Sequence, residues 1–237
     1  MNILAIGAHP DDIEFGCGGT LLKYIRNGHD VYLLVMTEGH RGGPARSRQG
    51  EQQRAARILK PKELIWGTYR DTELSPKMNE MVQDIESVLD RIQPQFTFVH
   101  YEEDTHQDHR ALAKAAVSAT RYVKNVLFYE GPTSQNFTPT VFVDVKDTLE
   151  EKIKLLLAHI LHGRAQHAAI STAAVACSLV HQITKSCQAD LVGVFLNHTR
   201  GLVITVRILL AKTIIAHVFQ HITIRLAHLN ARVEKPV

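Results

Sequence analysis

The chain has few cysteines and no long uncharged apolar run. Its three cysteines form neither an even set nor a CxxC pair, which argues against a disulfide framework and for a reducing, cytoplasmic setting. No basic region precedes the short apolar run that begins at Ile3, so we expect no signal peptide. The most apolar stretch, residues 201–224, is interrupted by two basic residues and two histidines, so we expect no membrane span.

Acidic residues are nearly absent from the last third of the chain. Residues 1–152 hold 18 Lys and Arg against 22 Asp and Glu, whereas residues 153–237 hold 9 against 2, together with eight of the 14 histidines. A basic surface for nucleic acid is one explanation. The segment is apolar and rich in histidine rather than patterned with Lys and Arg, so we expect no nucleic acid partner. The other explanation for the scarcity of acidic residues is that this segment has replaced a different native sequence.

What is present has the composition of a globular protein, with 45% hydrophobic and 22% charged residues in 237. Residues 2–8 are continuously apolar, which indicates a strand buried on both faces. Further strands are predicted at 31–36, 64–66, 96–100, 126–129 and 140–144. Helices are predicted at 16–27, 48–59, 78–92, 108–122 and from about 147. This alternation predicts an α/β fold with a parallel sheet and helices on both faces.

Two polar clusters follow predicted core strands. The motif His9-Pro10-Asp11-Asp12 comes directly after the strand at 2–8, and His106-Gln107-Asp108-His109 follows the strand at 96–100. Ligands bind beyond the carboxyl ends of such strands, so the two clusters are expected to share one site.

We predict that His9, Asp12 and His109 are metal ligands. Imidazole nitrogen and carboxylate oxygen suit Zn²⁺, although they also suit Fe²⁺ and other divalent ions. Zinc is the default because a hydrolase needs a Lewis acid without redox chemistry. Such a metal lowers the pKa of its bound water toward about 7, and this water would attack a carbonyl that the metal polarises.

Three further residues are predicted to be catalytic. Asp11 would accept the proton of the attacking water. His106, as an imidazolium, would stabilise the oxyanion and protonate the leaving amine. Asp108 would orient His106 or a ligand histidine through a hydrogen bond.

Each cluster also has a structural interpretation, since Pro10-Asp11-Asp12 is typical of a turn and Asp108 of a helix N-cap. Their joint occurrence at two strand ends favours a site. The glycines that begin at Gly16 do not match GxGxxG, so we interpret them as close helix–strand packing. His100 is interpreted as a strand-end residue, and Cys17 as a buried thiol.

The motif Ala8-His9-Pro10-Asp11-Asp12, with Glu14 and the glycines at 16–19, resembles the opening signature of the PIG-L/LmbE-like deacetylases. The motif at 106–109 resembles their second signature, with Gln107 in place of the usual proline. The resemblance covers residues 2–158. It implies a Rossmann-like three-layer sandwich with a mainly parallel central sheet, and zinc-dependent removal of the acetyl group from an N-acetylglucosamine-type sugar conjugate.

Carried over position by position, the resemblance implies that His9, Asp12 and His109 are the metal ligands and that Asp11 is the general base. It also implies that His106 stabilises the tetrahedral intermediate, with Asp108 as its supporting acid. It adds Arg48 and Asp71 as substrate contacts. The implied partner is a small N-acetyl sugar conjugate, and the oligomeric state stays open, a homo-oligomer included.

The likeness stops after Ala158. We therefore predict a catalytic domain at 1–158 and an atypical segment at 159–237, which is hypothesised to be a frameshifted or foreign replacement or else a divergent accessory region. Two other functions stay open at this point. One is cleavage of a larger sugar-thiol amide, and the other is non-catalytic binding of a sugar or metal, should the atypical segment leave the substrate pocket incomplete.

Overall fold

Five parallel strands form one sheet in residues 1–159, the part of the chain that this computed structural model describes. In chain order the strands are β1 (Asn2–Gly7), β2 (Asp30–Thr37), β3 (Glu63–Tyr69), β4 (Phe96–His100) and β5 (Val126–Tyr129). They lie in the spatial order β3-β2-β1-β4-β5, and every neighbouring pair is parallel. The predicted parallel sheet is confirmed.

Helices cover both faces of this sheet. They are α1 (Asp12–Gly16), α2 (Gly18–Arg26), α3 (Ala45–Leu59), α4 (Met78–Ile92), α5 (Gln107–Ala119) and α6 (Leu149–Leu157). The side chains of β1 alternate between two cores: Leu4 and Ile6 pack with α4 and α5, whereas Ile3 and Ala5 pack with α1, α2, α3 and α6. A strand buried on both faces reads as a continuous apolar run, as predicted. The result is the predicted α/β sandwich of three layers.

One predicted element is wrong. The predicted strand at 140–144 belongs to no ladder within the described residues, and Val141 and Phe142 are 59% and 57% exposed there. Consecutive β-branched and aromatic side chains favour a strand only when a neighbouring strand supplies hydrogen bonds, and within the described residues the sheet ends at β5. The predicted helix at 16–27 corresponds to α2, which begins at Gly18, whereas Gly16 ends the preceding helix α1 and Cys17 lies between the two.

The sheet order places both polar motifs at one crevice. From β1 the chain builds β2 and β3 on one side, and then returns to add β4 and β5 on the other. The carboxyl ends of β1 and β4 are therefore neighbours, with Ala5 paired to Phe98 in the ladder. This reversal of strand order is where α/β sheets bind ligands.

Within residues 1–159, none of the helices combines the length and apolarity needed to cross a membrane. The predicted boundary at 158 stays a prediction, and the hypotheses for the atypical segment concern residues that, from 160 onward, lie outside the described part.

Candidate metal centre

The three predicted metal ligands meet at the carboxyl ends of β1 and β4. Asp12 joins them, because one of its oxygens lies 3.4 Å from His9 Nδ1 and the other lies 3.3 Å from His109 Nε2. The rings of His9 and His109 have centroids 5.4 Å apart. Both histidines are buried, with 8% and 6% of their surface exposed. The fold thus brings together the side chains that the sequence selected from positions a hundred residues apart.

The far side of His9 is held by two carboxylates. Its Nε2 lies 3.1 Å from Asp108 Oδ2 and 3.3 Å from Asp71 Oδ1. Both acids are anchored by backbone donors, since the Arg41 amide donates to Asp71 and the Thr72 amide donates to Asp108. A carboxylate on one ring nitrogen fixes the tautomer, so Nδ1 of His9 is left to face Asp12.

His109 is held in the same way from the other side. Its Nδ1 lies 3.2 Å from Asp104 Oδ2, and Asp104 is buried in the loop between β4 and α5. The Asp104 carboxylate also accepts hydrogen bonds from the His106 amide and the Ser134 hydroxyl. Nε2 of His109 is therefore the nitrogen that faces Asp12.

These carboxylates control the protonation of the two rings. Burial by itself lowers the pKa of His9, but hydrogen bonds to Asp108, Asp12 and Asp71 outweigh it and raise that pKa to about 12. Burial also lowers the pKa of His109, while Asp12 and Asp104 raise it to about 9. Histidine charge holds the pKa of Asp12 well below its usual range, against the effect of burial. The carboxylates of this cluster therefore stabilise positive charge, and the same negative potential would favour a divalent cation.

Groups of three donor atoms, one from each residue and all within 4.8 Å of one another, occur three times in this region of the described chain. They are His9 with His106 and His109, Asp12 with His100 and His109, and His9 with Asp71 and Asp108. The imidazole and carboxylate donors in these groups suit Zn²⁺ and other first-row divalent ions. The residues present therefore fit a metal.

His106 lies at the N-cap of α5. Its Nδ1 accepts a hydrogen bond of 3.2 Å from the Asp108 amide, so the proton of the neutral ring is on Nε2. Burial and the neighbouring His9 and His109 lower the pKa of His106. Its ring packs edge-on against His9 and stacks on His109. The ring is only partly buried, so it can reach a bound molecule.

Asp11 lies beside the cluster rather than within it. It precedes α1 with a left-handed backbone (φ 101°, ψ −26°), and its carboxylate accepts a hydrogen bond of 2.9 Å from Arg48. The side chain is 28% exposed. The structure thus separates Asp11 from its neighbour Asp12, which turns inward to the histidines.

The two predicted substrate contacts are both engaged with protein groups. Arg48 pairs with Asp11 and with Glu51, and its side chain is 15% exposed. Asp71 is 4% exposed and contacts His9. Their roles as substrate contacts stay predictions, as do the catalytic roles of Asp11, His106 and Asp108.

Sequence reasoning missed His100, which it took for a strand-end residue. Its Nε2 lies 3.1 Å from Asp12 Oδ2, and its ring stacks on His109 with centroids 4.1 Å apart. It is 1% exposed, and burial lowers its pKa. Asp104 was also missed, since it stood in the sequence as one of three acids in a loop. Position in the chain could have indicated both, because His100 ends β4 and Asp104 lies between β4 and the second motif.

Comparison with known proteins identifies relatives of this chain. The family model described as PIG-L, GlcNAc-PI de-N-acetylase, matches residues 4–120, a range that contains both motifs. A protein of Escherichia coli named "Uncharacterized deacetylase YaiS" is 34% identical over 152 residues, which cover 61% of this chain and 82% of that protein. The diacetylchitobiose deacetylase of Thermococcus kodakarensis is 28% identical, with 66% of this chain and 68% of the relative covered.

Solved structures share the fold. The conserved protein TT1542 of Thermus thermophilus superimposes with a TM-score of 0.70 at 23% identity, over 84% of this chain and 99% of the other. The N,N'-diacetylchitobiose deacetylase of Pyrococcus horikoshii gives a TM-score of 0.62 at 26% identity, over 70% and 72%. The resemblance noted in the sequence and the predicted fold class are confirmed.

Proposed function

Because this chain belongs to the PIG-L family of deacetylases, we propose that it is a metal-dependent hydrolase that removes the N-acetyl group from an N-acetylglucosamine-type sugar conjugate. The observation that carries the proposal is the convergence of His9, Asp12 and His109, with Asp11 and His106 beside them, at one crevice of the sheet. The names of two relatives, a diacetylchitobiose deacetylase and a probable N-acetyl-α-D-glucosaminyl L-malate deacetylase, support the substrate class.

Zinc is the proposed metal, and His9, Asp12 and His109 are the proposed ligands. When bound, such an ion acidifies water and polarises a carbonyl oxygen. Asp71 and Asp108 hold His9 with Nδ1 toward Asp12, and Asp104 holds His109 with Nε2 toward Asp12. These three acids therefore present the ligand nitrogens in the required tautomers.

Asp11 is the proposed general base. It is adjacent in sequence to Asp12, its side chain is partly open to solvent, and it is not part of the buried ion pairs that hold the histidines. A carboxylate in that position accepts the proton of the attacking water, which contributes about 10²–10⁴-fold to a hydrolytic rate.

His106 is the proposed stabiliser of the oxyanion. The Asp108 amide occupies Nδ1, so Nε2–H is the group that donates a hydrogen bond to the developing negative charge. Protonation of the leaving amine by a His106 imidazolium stays a prediction, and the lowered pKa makes that form scarcer at neutral pH.

The test compares the protein with its Asp11→Asn variant. Asparagine tolerates the left-handed backbone at this position, so the fold should be kept. Amine release from N-acetylglucosamine and N,N'-diacetylchitobiose should fall by about 10²–10⁴-fold, while bound metal stays unchanged. Asp90→Asn, an exposed change on α4, is the matched control. Equal activity in Asp11→Asn and the unsubstituted protein would remove Asp11 as the base. Metal binding without amine release from either sugar would favour a binding protein over a deacetylase.

A further inference from the structure

The Pro10–Asp11 turn carries backbone strain at the edge of the metal centre. Asp11 has φ 101°, a left-handed value that is uncommon for residues with a side chain, although aspartate and asparagine adopt it more often than the others. Such a conformation persists only where the surrounding structure enforces it. The question is therefore which groups hold this turn.

Arg48 on α3 donates hydrogen bonds to this turn. Its Nη2 donates hydrogen bonds to Asp11 Oδ2 at 2.9 Å and to the Pro10 carbonyl. Its Nη1 donates to Glu51 Oε2, also at 2.9 Å. The planar guanidinium thus fixes the side chain of Asp11 and the backbone before it at once, a geometry that the point charge of a lysine cannot reproduce.

Gln52 holds the backbone of the same residue. Its Oε1 accepts a hydrogen bond of 3.2 Å from the Asp11 amide, and its Nε2 donates one of 2.6 Å to Glu14 Oε1. Both Gln52 and Glu14 are completely buried. Because Gln52 lies one helical turn after Arg48, the two side chains leave α3 on the same face.

Gly39 packs closely against Pro10 in the same turn. It has φ +67°, and a Cβ at this position would meet Pro10 Cδ at 2.8 Å. Nothing larger than glycine fits there without moving the turn. Pro10 and Asp11 are therefore enclosed by α3 and by the loop after β2.

We infer that Arg48 and Gln52 are positioning residues, which hold Asp11 in its left-handed conformation and fix where its carboxylate points. The inference rests on the proposed function, in which Asp11 is the base. It gives Arg48 a different role from substrate contact, since three of its hydrogen bonds already go to the turn and to Glu51. It assigns a function to Gln52, which carries no charge and offers no ligand for a metal.

The two roles of Arg48 predict different kinetics. Loss of a substrate contact raises KM, whereas a misplaced base lowers kcat with little change in KM. A displacement of about 1 Å at a reacting group costs about a hundredfold in rate. Because guanidinium is small, it can re-enter the space that Arg48→Ala leaves and restore part of the lost kcat.

The experiment uses full-length Arg48→Ala and Gln52→Met, with Arg57→Ala, an exposed change on the same helix, as the matched control. We would measure kcat and KM for deacetylation of N,N'-diacetylchitobiose, the bound metal, and hydrogen exchange of the Asp11 amide.

We expect kcat to fall by about a hundredfold in both variants, with KM within about twofold and metal retained. Added guanidinium should raise kcat of Arg48→Ala about tenfold, and it should not affect Gln52→Met. Exchange at the Asp11 amide should accelerate about tenfold or more in Gln52→Met, because its acceptor is gone.

Two outcomes would overturn the inference. One is a rise in KM at unchanged kcat in Arg48→Ala, which would make Arg48 a substrate contact. The other is normal Asp11 exchange in Gln52→Met, which would show that Gln52 does not hold the turn. The exchange measurement needs no turnover, so it tests whether Gln52 holds the turn even if the unsubstituted protein releases no amine and the proposed function fails.

Discussion

Metal binding at the candidate centre is expected to release about two protons per ion at neutral pH. The pKa of His9 is raised to about 12 and that of His109 to about 9, in both cases by carboxylates that outweigh the effect of burial. Both rings therefore carry a second proton at pH 7 in the metal-free protein. A nitrogen must lose its proton before it can bind a metal, so each ring gives up one.

The magnitude follows from this proton count. Below pH 9, the release of two protons should strengthen the apparent affinity for Zn²⁺ by about a hundredfold for each unit of rising pH. Above pH 9 His109 is already neutral, so only His9 contributes and the dependence falls to about tenfold per unit. Two histidines with ordinary pKa values near 6.5 would together release less than about half a proton at pH 7.5.

Titration calorimetry at pH 7.5, in buffers with different ionisation enthalpies, counts these protons directly. Competition with a chelator at pH 6.5, 7.0 and 7.5 gives the slope of affinity against pH. Asp104→Asn is the informative variant, because Asp104 contributes to the raised pKa of His109. Its proton release should fall toward one. A release below one proton in the unsubstituted protein, or an affinity independent of pH, would refute the reasoning.

Two further variants test the surroundings of the centre. His100→Phe keeps a ring stacked on His109 but removes the contact with Asp12, so affinity for Zn²⁺ should fall about 10–100-fold in chelator competition. Lys152 is 3% exposed, and burial lowers its pKa from 10.5 to about 8, so below pH 8 the folded state holds a buried charge that costs stability. Lys152→Met should raise the free energy of unfolding by up to about 3 kcal/mol at pH 7, and this gain should shrink as pH rises toward 10.5 in urea titrations. Unchanged affinity in the first variant, or a gain that does not vary with pH in the second, would count against these assignments.

Much of the fold could be predicted because the local pattern of apolar residues indicates which side chains are buried. The run at 2–8 is continuously apolar and forms β1, and the apolar stripe of Met81, Ile85 and Leu89 marks a helix whose predicted bounds match α4. The strand at 140–144 failed because its pattern was local, whereas a strand depends on a partner from elsewhere in the chain. Periodicity reports which face is apolar and says nothing of what covers it.

The candidate site, like the fold, could be predicted only where the local sequence carries the signal. His9, Asp12 and His109 stand in compact motifs at strand ends, so their convergence followed from the rule for parallel sheets. The groups around them are scattered: Asp71, which contacts His9, comes from the loop after β3; Asp104, which contacts His109, comes from the loop after β4; and Gln52, which contacts Asp11, comes from the middle of α3. The family resemblance marked Asp71 only as a substrate contact, and nothing marked the other two, because these contacts arise from the tertiary structure alone. His100 was misjudged for this reason, since a histidine that ends a strand is ordinary until Asp12 lies beside it.

Metal content is the measurement that tests the central claim most directly. The purified protein and its His9→Ala/Asp12→Ala double variant are washed with a mild chelator, and zinc and iron are then determined in both. We predict about one tightly held equivalent in the unsubstituted protein and none in the variant, since Asp12 lies between the two proposed ligand histidines, His9 and His109. Equal metal in both proteins, or none in either, would contradict the assignment of His9, Asp12 and His109 as a metal centre.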